Sequence, residues 1–364
     1  MQKGGVLTYI KDLAKLGKEM GAVVLMYQYE NTNPIEQSID WNGITIRDVY
    51  INAKGRRLRQ QGFNNEKENC KDAVFIIATD QFDVKTNAKN VVQIQHGIAF
   101  DIPEDWIPSS IKTKLIGKIG NKLLRCIRNV KRLDNTPHTV CVDYNYYNWY
   151  RTIGSETPCR QMVVIPNYTS DKITEDELNN KIANRGGIKK IAFARRMVDY
   201  RGSLMFAKVA KRLLEERKDV DFTFSGDGPC LKQIKEMLIG YENVHYTEYK
   251  SEDSVAFHKQ FDICVVPTIY SEGTSLSLLE GMAAGCLPIS THVGGLTNIL
   301  LDGYNGFLTH PDEDSLYKKI LLALNLSNEK FNKMTVRAYD SAVEAFYIDR
   351  WKKEWSNVII KVLS

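Results

Sequence analysis

The stretch from Cys264 to Leu308, CVVPTIYSEGTSLSLLEGMAAGCLPISTHVGGLTNILLDGYNGFL, constrains the fold more than any other part of the chain. An apolar run (Cys264 to Pro267) reads as a strand, and a polar turn carrying Glu272 follows it. A helix begins near Ser275 or Ser277, a second strand covers Leu287 to Ser290, and Gly294-Gly295 opens another helix. Strands alternating with helical segments imply a parallel sheet, whose ligands collect where strands end and helices begin. The first-turn N–H groups of such a helix and its dipole make a seat for an anion, and Gly273 lets a ligand approach the backbone. Glu272 and Glu280 are suited instead to accept hydrogen bonds from hydroxyl groups. Phosphate together with hydroxyls describes a sugar nucleotide. Ser277-Leu-Leu-Glu280 also fits a capping box, in which Glu280 would only tie off the helix start.

The segment Glu272-Gly-Thr-Ser-Leu-Ser-Leu-Leu-Glu280, followed by GMAAGCLPIS and GG...DGYNGFL, resembles the E-x7-E signature of retaining family 4 (group 1) glycosyltransferases. The resemblance implies the GT-B fold: α/β, two facing Rossmann-like domains with parallel sheets, and a C-terminal helix crossing back to the first domain. It assigns the hydroxyls of the transferred sugar to Glu272 and the ribose hydroxyls to Glu280. Sugar and phosphate fall to Gly273 and the backbone of Thr274, Ser275 and Leu276. It also implies a nucleotide diphosphate sugar, UDP- or GDP-linked, as co-substrate, with no metal and no other cofactor.

At 364 residues the chain is long enough for two domains. The resemblance divides it into an acceptor-side domain over 1–168, with 346–364 packed on it, and a donor-binding domain over 169–345. The seven cysteines form no C-x-x-C pair, which argues for a reducing cytoplasm and against a disulfide frame or zinc site. No run of 18 apolar residues occurs and the first ten residues lack a signal-peptide pattern, so the expected location is cytoplasmic, with a peripheral position on the membrane's inner face as one reading of the basic segment 109–133. The net charge of +5 is local: eight basic residues and no acidic one lie between Trp106 and Leu133, and removing them leaves −3 for the rest. Nucleic acid is not an expected partner, because that needs a broader basic surface.

In chain order, Gly4-Gly5 precedes a helical pattern (Val6, Ile10, Leu13) that stops near Gly21. This matches the family's glycine-rich turn and first helix, but the strand that should precede them is absent. Strands are expected at Ala22 to Tyr27, Ile44 to Ile51, Ala73 to Ala78 and Val91 to Gln95. The last ends in His96-Gly97, where the resemblance places His96 beside the transferred sugar; a structural hydrogen bond is the alternative. From 109 to 133 an amphipathic helix sets Ile111, Leu115, Ile119, Leu123, Ile127 and Val130 opposite Lys114, Lys118, Arg125, Arg128 and Arg132. It reads either as a helix on an anionic membrane surface or as a core helix with a solvated basic face. VCVDYNYYNWY (140 to 150) reads as a further aromatic strand, and VVIPNYTSD resembles the family's interdomain linker with Tyr168 in place of a glycine.

In the second domain, strand Ile188 to Ala194 leads into RRMVDYRG, which resembles the family's G-R-L-x-x-x-K-G. Its diphosphate-holding residues fall on Arg196 and Arg201, with Arg195 replacing a glycine. Gly226 and Gly228 of the GDGP turn then lie near the nucleotide. The reaction the resemblance implies is sugar transfer with retained configuration to a hydroxyl, with a lipid-linked saccharide in bacterial surface polysaccharide (capsule or O-antigen) synthesis as the expected acceptor. Glu272, Arg196, Arg201 and His96 are the expected catalytic residues, with Asp80 a reserve base. The alternatives are another GT-B sugar-nucleotide enzyme with a soluble acceptor, and a catalytically silent partner subunit suggested by the missing strand and Arg195.

Overall fold

The computed structural model describes residues 5–30, 37–50, 55–79, 82, 84–98, 111–133, 135–153 and 161–364. The first domain opens with α1 (Gly5–Glu19), whose buried Tyr9, Leu13, Ala14 and Leu16 recur at helical spacing. Strands β1 (Leu25–Glu30), β2 (Gln37–Trp41) and β3 (Ile44–Tyr50) form a three-stranded sheet in the order β1-β3-β2. After α2 (Gly55–Asn69) come β4 (Phe75–Ile77), β5 (Val91–Gln95), α3 (Ile111–Leu133), β6 (His138–Cys141), α4 (Tyr144–Ile153) and β7 (Gln161–Val164). These four strands make a second sheet, all parallel, in the order β4-β5-β6-β7. Among the described residues the first domain's sheet is in two pieces, and β1 and β4 each pair on one side only.

The second domain contains α5 (Glu175–Ala183), β8 (Lys189–Ala194), α6 (Ser203–Glu216), β9 (Val220–Ser225), α7 (Leu231–Met237), β10 (Val244–Thr247) and α8 (Ser254–His258). It continues through β11 (Ile263–Val266), α9 (Leu276–Ala283), β12 (Leu287–Thr291), β13 (Phe307–Thr309), α10 (Glu313–Leu324) and α11 (Asn328–Ala345). Its strands form one six-stranded parallel sheet in the order β10-β9-β8-β11-β12-β13. Strands β11 and β12 are buried throughout, as expected of central strands covered by helices on both faces. One face packs on a core containing Phe193, Phe206, Phe222 and Phe224, the other on a core containing Leu278, Met282 and Leu296.

The last helix, α12 (Ile348–Leu363), returns to the first domain. Trp351 and Trp355 are fully buried with Tyr9, Ile94, Val140 and Tyr168, and the Trp355 indole donates to the Tyr9 hydroxyl at 2.7 Å. The apolar stripe read from the sequence is the docking face. No helix among the described residues is long and apolar enough to cross a membrane.

Two local expectations are corrected. VCVDYNYYNWY is not a continuous strand: β6 ends at Cys141, Asp143 accepts from the Tyr146 N–H at 2.7 Å, and the aromatic run coils into α4. An aspartate that satisfies an orphan N–H at a helix start outweighs the strand preference of aromatic residues. The basic helix forms despite Gly117 and Gly120; near its C-terminal end Val130 packs beside buried Leu133 and Tyr146, while the middle of its apolar stripe faces solvent. Ile119, Leu123 and Ile127 are 86%, 58% and 41% exposed, while Asn121 and Asn129 are buried. Lys112, Lys114, Lys118, Ile111 and Leu115 belong to the helix, but their side chains lie outside the described set.

Candidate active site at the domain interface

The turn between β11 and α9 carries a buried ionic cluster. Glu272 is 8% exposed, and three donors converge on its Oε2: the Thr268 hydroxyl at 2.8 Å, Arg195 at 2.6 Å, and Arg201. Arg195 also donates to the Thr268 Oγ1, and Arg201 to the Ser271 carbonyl at 3.3 Å. Burial alone would raise the Glu272 carboxyl, but the two guanidinium groups hold it below the usual value. Two arginines against one carboxylate leave a surplus positive charge in a shielded place. Such a place attracts an anion.

Beside the cluster, the N–H groups of Gly273, Thr274, Ser275 and Leu276 have no acceptor among the described residues. Ser275 is the N-cap of α9 and makes no side-chain cap bond, so the helix start is left open to a ligand. Gly294 and Gly295 back the turn: a Cβ on Gly294 would lie 1.9 Å from the Glu272 carbonyl oxygen, and the Gly295 N–H donates to that oxygen at 3.0 Å. Gly294 has φ +53° as well. No other residue fits there without moving Glu272.

Glu280 sits one turn further into α9 and does not close a capping box. Its Oε2 accepts from the Ser254 hydroxyl of α8 at 2.6 Å. Desolvation pushes its carboxyl up to about 7, against the opposing pull of Ser254 and Arg195. Gly226 and Gly228 of the GDGP turn lie against the RRM segment: Cβ atoms on them would fall 2.5 Å from the Arg195 oxygen and 2.4 Å from the Met197 oxygen. The Arg195 and Met197 N–H groups bond the Ser225 and Asp227 carbonyls, fixing the two turns side by side.

Arg195 is the residue that sequence reasoning missed. It entered as a departure from a glycine, yet its guanidinium is in the cluster, while the neighbouring Arg196 is exposed and makes no side-chain bond among the described residues. The available signal was alternation along β8. Phe193 and Ala194 face opposite cores, so two consecutive arginines after the strand must diverge.

The first domain closes over the same turn. The Thr274 hydroxyl donates to the Val142 carbonyl, Asn167 Nδ2 donates to the Thr274 carbonyl, and the Tyr144 N–H donates to Asn298 Oδ1 at 3.1 Å. A Cβ on Gly97 would lie 3.0 Å from the Gly273 nitrogen, and one on Gly5 3.3 Å from Leu276 Cδ1, so α1 begins beside the start of α9. His96 donates through Nε2 to the Ala78 carbonyl at 2.9 Å and meets the Tyr9 ring edge-on. Burial pushes it down to about 4, so at neutral pH it is an uncharged imidazole with Nδ1 left as an acceptor. Gly4 and Asp80 lie outside the described residues. No group of metal-ligating side chains is present among the described residues.

Residues 188–325, which hold this cluster, match the family model described as Glycosyl transferases group 1. The match falls within the second domain. An uncharacterized glycosyltransferase of Methanocaldococcus jannaschii is 30% identical over 198 residues, covering 52% of this chain and 54% of that protein. The chain thus spans about half the length of that relative. The alpha-monoglucosyldiacylglycerol synthase of Streptococcus pneumoniae is 26% identical over 374 residues, 96% of this chain and 83% of that protein. Among solved structures, an Anabaena protein in complex with UDP and glucose superposes with TM-score 0.68 at 13% identity, covering 98% of this chain and 96% of that one. At that identity the likeness shows the fold, which is GT-B.

The raised Glu280 carboxyl has a consequence for stability. Its folded-state value of about 7 lies above the ordinary 4.5, so the folded chain holds that proton more tightly than the unfolded chain. The associated stability is complete below about pH 4.5 and is lost as pH rises through about 7. Glu280→Gln should therefore gain stability relative to the parent chain between pH 5 and pH 8, measured by urea denaturation at both values. A pH-independent difference between the two proteins would contradict the environment described for Glu280.

Proposed function

We propose that the chain is a retaining glycosyltransferase that moves a sugar from a UDP- or GDP-linked donor to a hydroxyl of a lipid-linked saccharide, in the synthesis of a bacterial surface polysaccharide. The observation that carries the reading is the row of free N–H groups from Gly273 to Leu276 beside a buried cluster of net positive charge. As the C1–O bond breaks, negative charge grows on the departing diphosphate and positive charge on the sugar ring. Arg201, the exposed Arg196 and the α9 amides stabilise the diphosphate in place, without reorganisation at the moment of reaction. Arg195 and Thr268 hold Glu272 by one oxygen, which leaves Oε1 for the hydroxyls of the transferred sugar. Glu280 takes the ribose hydroxyls. The leaving phosphate accepts the proton of the incoming hydroxyl on the same face of the sugar, so neither a metal nor a covalent nucleophile takes part.

The acceptor reading draws on α3 and on the relatives. Ile119, Leu123 and Ile127 form an exposed apolar ridge, with Lys122 and Lys131 exposed on its two sides. An apolar ridge flanked by cations suits the headgroup region of an anionic membrane, where each basic residue contributes about 1 kcal/mol and a buried Leu or Ile about 1.5–3 kcal/mol. The S. pneumoniae relative is by name a synthase of a glucosyl diacylglycerol, a glycolipid. A peripheral position on the cytoplasmic face would bring the domain cleft to a lipid-linked acceptor.

Two experiments test this reading. Glu272→Gln and Arg201→Ala should each lower sugar-nucleotide turnover by about 10²–10³-fold, the usual consequence of removing one preorganised transition-state contact; full activity in both would remove these residues from the reaction. A parent chain that binds nucleotide sugar but turns over none would favour the silent-partner alternative. In co-sedimentation, binding to phosphatidylglycerol vesicles should exceed binding to phosphatidylcholine vesicles, weaken in high salt, and fall at least tenfold in Leu123→Glu. Equal binding by parent and variant would reject the membrane contact.

A further inference from the structure

On the first-domain side of the domain interface, two hydrogen-bond acceptors are buried without a donor among the described residues. Asp143 is wholly buried at the N-cap of α4, where its Oδ1 takes the Tyr146 N–H, but its Oδ2 has no partner. Asn167 donates through Nδ2 to the Thr274 carbonyl, and its Oδ1 likewise has none. Both belong to segments that touch Thr274: the Thr274 hydroxyl donates to Val142, next to Asp143, and the Thr274 carbonyl accepts from Asn167. Around Oδ2 the backbones of Gly97 and Gly273 pack so closely that neither position admits a side chain. Oδ2 lies 3.3 Å from where a Cβ on Gly97 would stand and 3.6 Å from where one on Gly273 would stand. Burial, with a smaller contribution from the Glu272 charge, pushes the Asp143 carboxyl up to about 6.

Nearly all buried polar atoms in folded proteins are satisfied, so an orphaned carboxylate oxygen beside the α9 turn calls for a donor. The facing groups narrow what that donor is. Across the same turn stand the free N–H groups of Gly273 to Leu276, which need an acceptor. A hydroxyl group both donates and accepts, and a pyranose presents several at fixed spacing. A phosphate could satisfy the amides but not the carboxylate; an ammonium could satisfy the carboxylate but not the amides.

We infer that Asp143 is a sugar-binding residue, whose Oδ2 receives a hydroxyl of the transferred sugar from the first-domain side while the α9 turn holds it from the second. This rests on the reading of the cleft as the donor site and adds a specificity-determining contact that the E-x7-E resemblance does not contain. The competing account is that Asp143 merely caps α4.

Asparagine and serine cap helices as well as aspartate does, which separates the two accounts. Asp143→Asn and Asp143→Ser keep the cap and lose the carboxylate acceptor. Calorimetric titration of the full chain would use UDP against UDP-glucose and GDP against GDP-mannose, taking the pair that the parent binds. The inference expects both variants to bind the bare diphosphate within twofold of the parent and the sugar conjugate at least tenfold more weakly, with kcat/KM down about 30-fold. Unchanged binding of both ligands would reduce Asp143 to a helix cap and overturn it. So would a parallel loss for both, which would report a distorted cleft. A parent that binds neither pair would overturn the donor-site reading itself, and this inference with it.

Discussion

Glu272 is a charge in a place where a charge is costly, and much of the surrounding structure follows from keeping it there. A carboxylate taken out of water needs opposite charge and complete hydrogen bonding. Arg195, Arg201 and Thr268 supply both at a single oxygen. Bringing them together requires close backbone approaches that only glycine permits: Gly202, at φ +77°, would place a Cβ 1.9 Å from the Pro267 oxygen, and Gly294 one equally close to the Glu272 oxygen. The six-stranded sheet aligns the ends of β8 and β11 so that these turns meet on one rim.

The cluster also lies where the domains join. Thr274 is held from both sides of the linker, by Val142 and by Asn167, so the turn proposed to hold the donor is also the turn that the first domain rests on. The linker is braced further. Tyr168, where the resemblance has glycine, donates to Asp12 Oδ2 at 2.6 Å and packs its ring 4.6 Å from that of Trp351, tying α1, the linker and α12 together. The proposed donor contacts and the contacts between the domains therefore share atoms, and a substituent at Gly97 or Gly273 would disturb both.

Much of this was legible in the sequence. The βαβα run from Cys264 to Leu308 appears in order, with near-continuous apolar strands and a helix opening at Leu276, because buried parallel strands and their turns leave a strong local pattern. Gly294-Gly295 opens only a short 3-10 turn in place of a longer helix. The α12 stripe was readable for the same reason. What local pattern could not settle was direction. The periodicity of α3 locates an apolar ridge but not which way it faces, and Ile119, Leu123 and Ile127 turn outward while Asn129 turns in to the Tyr146 hydroxyl. Arg195 and Arg196 are adjacent letters with opposite fates, decided by which side of the β8 exit faces Glu272. The orphaned Oδ2 of Asp143 could not be read at all, since a sequence does not record which hydrogen bonds go unmade.

The central claim is that the Glu272 cluster and the open start of α9 together form a nucleotide-sugar site. Its most direct test is the thermal stability of the unmodified chain in the presence of UDP, GDP, ADP and their glucose or mannose conjugates. A ligand at 100 times its dissociation constant stabilises the fold by about 2.7 kcal/mol. The account predicts a clear upward shift for one nucleoside diphosphate and its sugar conjugates, and none for the others. A folded chain whose melting temperature is unmoved by every one of them would contradict it.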